Sequence, residues 1–210
     1  MSPATAELPE VLKRARAAGF LGPGPVEPHI AHAGGFGESV ERALGREPTN
    51  FADLGTGGGV PGLVLGLRWP SCRGIFVESG RRRCAWLREA VVDLGLEARI
   101  DVVELRAEAT GRDDRYREQF EAVTARSFAG PAVTGEIAAG LVAVDGVLVV
   151  SEPPDPDVGR WPSGELQDLG FGPAAPAEVG SAHFVVVRKL TPTPERFPRS
   201  VGRPAKRPLW

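Results

Sequence analysis

At 210 residues, with 42% hydrophobic and 25% charged side chains, the chain has a globular composition and enough length to bury most of its apolar surface in one core, which excludes a fibrous or disordered protein. No apolar run reaches the ~18 residues of a membrane span, and residues 1–12 carry Glu7 and Glu10 where a secretory signal has a basic start and an apolar stretch, so no membrane partner and a cytoplasmic address are expected. Cys72 and Cys84 form no CxxC pair and read as inert thiols, while the net charge of −2 divides into +6 over residues 188–210 and −8 over the rest, a basic tail on an acidic body.

Leu8, Val11, Leu12 and Ala15 recur at helical spacing and predict an amphipathic helix over residues 8–20, closed by Gly19. Residues 22–28 and the pair Gly34-Gly35 predict irregular backbone before a second, short helix over 38–44. From residue 50 the pattern alternates: strands over 50–54, 74–77, 99–103 and 120–125, helices over 60–67 and 81–94. A helix near 134–141 and apolar strands over 146–150 and 183–188 follow, with a charged turn at 113–118 and a Pro- and Asp-rich loop at 153–162. Such alternation predicts an α/β protein with a doubly wound, mostly parallel Rossmann-like sheet. The predicted organisation is a helical extension over 1–49, a core over 50–190 and a basic, Pro-rich tail over 191–210.

The sharpest motif is Asp53-Leu-Gly55-Thr-Gly57-Gly-Gly59-Val-Pro61-Gly62, where the first strand meets the first helix of the alternating region. Glycines there allow a tight turn and close approach of a ligand to the backbone, and the helix end offers unpaired N–H groups. Gly57-x-Gly59-x-x-Gly62 also satisfies the dinucleotide pattern GxGxxG. Asp53, two residues before the first glycine, suits a ligand bearing an ammonium group rather than a pyrophosphate, and no second half like a dehydrogenase substrate domain follows. S-adenosylmethionine is therefore preferred over NAD. Glu78 ends the second strand, 19 positions beyond Gly59, where an acid accepts bonds from ribose hydroxyls in either cofactor; the bland alternative is a surface carboxylate paired with Arg81 or Arg82.

The runs DLGTGGGVPG, FVESGRRRCAWLREAVVDLGL, LRAEA and FEAVTARSFA, with the closing TPTPERFPRSVGRPAKRPL, resemble the RsmG (GidB) family in order and spacing. The match is good over residues 51–129 and 189–209, and loose over PVEPHIAHA. The resemblance implies a class I S-adenosylmethionine-dependent methyltransferase fold, acting on guanine N7 in 16S ribosomal RNA. It implies cofactor contacts at Gly55, Gly57, Gly59, Val60, Glu78, Ala107, Glu108 and Arg126, and ribosomal RNA or the small ribosomal subunit as partner. Ala107, Glu108 and Arg126 also fall at carboxyl ends of predicted strands, where ligands of open α/β sheets sit, though Glu108 and Arg126 each also suit a surface ion pair.

Guanine N7 carries an in-plane lone pair and no proton, so its methylation needs positioning rather than a general base, and no catalytic acid or base is assigned. Phe128 is a candidate stacking surface for an unstacked base, or a core aromatic. Arg199, Arg203, Lys206 and Arg207 are candidate phosphate contacts, on a tail whose prolines suit an extended strand along an RNA backbone; the alternative is a solvated terminus. The chain departs from the family where a Lys-Gly pair usually follows the fifth strand, reading Ser151-Glu152-Pro153-Pro154-Asp155. That departure keeps two further readings open: a methyltransferase for another RNA or a small molecule, and a silent RNA-binding relative. His29 and His32 stand three apart with no third ligand in view, so no metal is expected.

Overall fold

A computed structural model of the chain describes residues 3–154 and 157–210. Two helices open it, α1 (Pro3–Ala17) and α2 (Glu27–Leu44). They lead into β1 (Asn50–Leu54), α3 (Gly62–Arg68), β2 (Arg73–Glu78), α4 (Arg81–Asp93), β3 (Ile100–Glu104) and a single helical turn, α5 (Ala107–Thr110). Then come β4 (Phe120–Ala125), α6 (Pro131–Ala139), β5 (Val142–Glu152), α7 (Ser163–Asp168), β6 (Phe171–Val179), β7 (Ala182–Lys189) and a last turn, α8 (Arg203–Lys206). Asp155 and Pro156, within the loop expected over 153–162, lie outside the described residues, and Val158–Arg160 forms a 3-10 turn.

The seven strands form one sheet in the order β3-β2-β1-β4-β5-β7-β6. The first five are parallel, and β7 runs antiparallel to both β5 and β6. Successive strand residues point to opposite faces, which sorts the core into two layers. Phe51, Phe76, Val147 and Val149 pack with the apolar faces of the first four helices, while Ala52, Ile75, Val77 and Leu148 pack with α6, α7 and Phe197 of the tail. Burial on both faces explains why apolar residues stand at successive positions in these strands, as in Phe51-Ala52, Ile75-Phe76-Val77 and Val147-Leu148-Val149-Val150, rather than alternating with polar ones. The strand order reverses between β1 and β4, so their carboxyl ends flank the crevice that such folds use for ligands.

Three expectations are corrected. The helix expected over 38–44 begins at residue 27 and runs straight through Gly34-Gly35. A mid-helix glycine costs about 1 kcal/mol relative to alanine, but a Cβ on Gly35 would lie 2.7 Å from the Phe184 ring, so the glycine lets the helix settle onto β7. The sequence reading also lacks β6, whose Pro173 and Pro176 argue against a strand. It forms the outer edge of the sheet, the position where proline's missing N–H is tolerated.

The tail is the third correction. It is not an extended strand free of the core: Thr193, Phe197, Pro198 and Pro204 are buried. Its backbone is gripped by arginines of the core, with Arg117 donating to the carbonyls of Thr193 (2.9 Å) and Phe197 (2.8 Å), and Arg112 to that of Pro198 (2.8 Å).

Candidate functional site

The glycine turn lies at the carboxyl end of β1, and its foundation is Asp53. One carboxylate oxygen accepts the Thr124 hydroxyl at 2.7 Å and the other the Gly62 N–H at 3.2 Å, tying β1 to β4 and to the start of α3. Burial is complete and pushes the Asp53 carboxyl up to about 7, against the pull of its hydrogen bonds. The expectation that Asp53 faces a ligand's ammonium group is therefore corrected: with no exposed surface, it supports the turn from beneath. Above it, Gly55, Gly57 and Gly59 have φ of +65°, +55° and +92°, a region that side chains rarely adopt. A Cβ on Gly57 would meet only the Gly55 carbonyl oxygen, at 3.5 Å, so the ground beside it is open. Val60 is buried and packs in the core.

Glu78 closes the turn from the end of β2. Its carboxylate accepts the N–H groups of Gly57 (3.2 Å) and Gly80 (2.7 Å). Its nearest cation is Arg83 at 4.0 Å, not Arg81 or Arg82. A cleft of about 330 Å³ opens beside it, bordered by Gly55, Glu78, Ala107, Glu108 and Phe128. Five predicted residues are thus brought together from four strand ends. Phe128 is half-buried against the core, as expected of a core aromatic, and the edge of its ring also meets Gly55 and lines the cleft.

Two features of the cleft escaped the sequence reading. Ala205 of α8 forms part of its wall, and Glu108 accepts the N–H of Gly202 at 3.0 Å, so the tail is built into the site. Nothing local signals this, because both contacts cross about half of the chain. Arg126 stands beside the cleft rather than in it, and Nη2 of its guanidinium lies 2.6 Å from Nδ1 of His29 on α2.

The tail cations divide. Arg199 points inward, its Nε and its own backbone N–H each 2.8 Å from Oε1 of the fully buried Glu136, which removes it from the candidate phosphate contacts. Lys189 is likewise buried, donating to the Ala139 carbonyl at 2.7 Å and to Glu118 at 3.0 Å. Arg203, Lys206 and Arg207 are exposed, and with Val201 they border a second groove of about 320 Å³. At the end of β5, Glu152 is held by Arg160 at 2.5 Å and by the Trp161 indole N–H at 3.0 Å, so this acidic departure from the family is turned into the protein. Among the described residues, no group of three or more His, Cys, Asp or Glu is placed to hold a metal, and no helix is long and apolar enough to cross a membrane.

Residues 38–152 match the family model described as GidB, rRNA small subunit methyltransferase G. Proteins named ribosomal RNA small subunit methyltransferase G are similar over most of the chain. The one from Rubrobacter xylanophilus is 36% identical, the match covering 80% of this chain and 66% of that protein, just under two thirds. That from Roseiflexus castenholzii is 36% identical over 83% of this chain and 77% of its own. Among solved structures, a methyltransferase from Geobacter sulfurreducens superposes with a TM-score of 0.60 at 14% identity, covering 91% of this chain and 90% of its own. The cofactor-bound Rv0187 protein from MTB gives 0.59 at 16% identity, covering 90% of each. At such identities these two carry the fold alone.

Proposed function

Because the chain belongs to the GidB family of small-subunit ribosomal RNA methyltransferases, we propose that it transfers the methyl group of S-adenosylmethionine to N7 of a guanine in 16S ribosomal RNA. The observation that carries this reading is the cleft between the glycine turn and Glu78, with open ground beside Gly57. The residues fit an adenosyl ligand. Glu78 is pinned by two backbone N–H groups, yet a carboxylate has lone pairs left for ribose hydroxyls. Glu108 and the Ala107 backbone border the same space, and Phe128 offers a flat apolar face.

S-adenosylmethionine supplies an electrophilic methyl group on a sulfonium centre. The chain's own work is to hold the guanine so that its N7 lone pair lies in line with that methyl group, and to keep water out. No proton leaves N7, and no side chain is required as a base. Positioning of this kind is worth on the order of 7 kcal/mol or more. In this reading residues 50–190 carry the transferase core, 1–49 cover one face of it, and 191–210 form a wall of the cofactor cleft on one side and a phosphate-facing surface on the other. Arg203, Lys206 and Arg207 suit RNA backbone contacts, being exposed beside the cleft. Glu152 leaves the RNA reading undisturbed, since its charge is neutralised internally by Arg160.

The test is transfer of a labelled methyl group to ribosomal RNA from cells lacking the gene, as naked RNA and as small-subunit particles, followed by mapping of N7-methylguanine. One new site is expected. Cofactor binding without transfer to either RNA form would move the acceptor elsewhere, and absence of cofactor binding would leave a silent relative.

A further inference from the structure

Arg126 is a half-buried cation whose hydrogen-bond partner carries no negative charge. An arginine does not give up its proton, so the contact with His29 requires the imidazole to be the acceptor, neutral, with its lone pair on Nδ1. Burial first, and the guanidinium second, hold His29 below its ordinary range. His32, one turn along α2, is pushed down to about 4 by burial, by Arg126 and by His29. The acid acting on Arg126 is Asp53, already engaged with Thr124 and Gly62. On the elements packed against α2, Glu152 is paired with Arg160, Arg68 with Glu41 and Lys189 with Glu118, Arg188 donates to the carbonyls of Asp145 and Ala43, and the Asp145 and Glu178 carboxylates are exposed to solvent.

A half-buried cation in such surroundings favours an anion. Arg126 adjoins Ser127, which lines the cleft together with Gly55, so its charge, with no carboxylate hydrogen-bonded to it, borders the glycine-turn side. Along the remainder of the cleft each cation stands beside an acid, Arg83 4.0 Å from Glu78 and Arg106 3.7 Å from Glu108, so that part carries no free positive charge. A ligand with a nucleoside at one end and a carboxylate at the other matches this polarity.

We propose that His29 is a positioning residue for the carboxylate of the cofactor's amino-acid end: by accepting one N–H of Arg126, it aims the rest of the guanidinium fork at that carboxylate. This rests on the cofactor reading above. His29 comes from the helical extension, so α2 takes part in binding rather than only covering the sheet.

The full chain, titrated by calorimetry with S-adenosylhomocysteine and with 5′-methylthioadenosine, which lacks the amino-acid end, separates the possibilities. His29→Leu and His29→Ala should each weaken S-adenosylhomocysteine binding about tenfold or more, the scale of a charged hydrogen bond, while 5′-methylthioadenosine affinity stays within about twofold. His29→Gln restores an acceptor and should recover most of the loss, a rescue that a merely structural role would not produce. Unchanged S-adenosylhomocysteine affinity in a folded His29→Ala chain, or equal loss for both ligands, would overturn the proposal. Wild-type chain that binds neither ligand would overturn the cofactor reading and this inference together.

Discussion

Asp53 and Glu78 are both acidic residues at strand ends beside one glycine turn, yet their surroundings give them different tasks. Asp53 has no solvent contact and its carboxyl is raised to about 7. Its folded value thus lies above its ordinary 3.8, so the folded state binds the extra proton between those limits and stability falls as pH rises through that window. Asp53→Asn keeps an acceptor for the Gly62 N–H and carries no charge. Its melting temperature relative to wild type should therefore rise steadily between pH 4 and 7, and a constant difference would show that Asp53 does not titrate there. Glu78 keeps two backbone hydrogen bonds and borders the cleft. Glu78→Ala should weaken S-adenosylhomocysteine binding by about 1–3 kcal/mol, through lost ligand bonds and a loosened turn. Gly57→Val should abolish that binding in a chain that remains folded, since its side chain would enter open ground at a φ of +55°; calorimetry together with circular dichroism checks both.

At the scale of elements, α6 is the anchor for the tail. Glu136 is fully buried within it, whereas the Arg199 side chain keeps 18% exposure. Removing one partner of such a pair is costly mainly through the charge left behind. Arg199→Ala strands a carboxylate with no access to water and should cost about 3–5 kcal/mol. Glu136→Gln leaves a guanidinium that reaches solvent and still has a hydrogen-bond acceptor, so its cost should be smaller, about 1–3 kcal/mol. Urea unfolding of the two variants measures the asymmetry, and equal losses would contradict it. The same docking brings Gly202 to Glu108 and Ala205 to the cleft, so a truncation after Leu190 should lower cofactor affinity as well as RNA affinity.

For the whole molecule, the electrostatic question is which cations remain free to meet phosphates. Of the seven basic residues in 188–210, Arg188 donates to the carbonyls of Asp145 and Ala43, Lys189 and Arg199 are engaged with buried partners, and the exposed Arg196 lies over the Phe197 ring. Arg203, Lys206 and Arg207 remain exposed around one groove. Replacing all three by Gln should flatten the dependence of RNA affinity on salt by about 0.7–0.9 in log-log slope for each phosphate no longer neutralised. Cofactor affinity should stay within about twofold, because Ala205 and Gly202 keep their places. Filter binding at several salt concentrations reads the slope, and an unchanged slope would remove this surface from RNA binding.

The sequence by itself determined the local and periodic features. The strands over 50–54 and 120–125 are observed with the predicted bounds, because Phe51, Ala52 and Leu54, and Phe120, Ala122, Val123 and Ala125, put apolar side chains on both faces of a buried sheet. The glycine turn was legible for a related reason: its positive φ angles restrict which residues can stand there. Tertiary structure alone decided the rest. It carried α2 through Gly34-Gly35 by seating it on Phe184, and placed the proline-bearing β6 at a sheet edge. It also turned Arg199 toward Glu136, Arg126 toward His29 and the tail toward Glu108. These pairs lie 63, 97 and 94 residues apart, and periodicity or spacing within a short window carries no information about partners that only folding brings within hydrogen-bond distance.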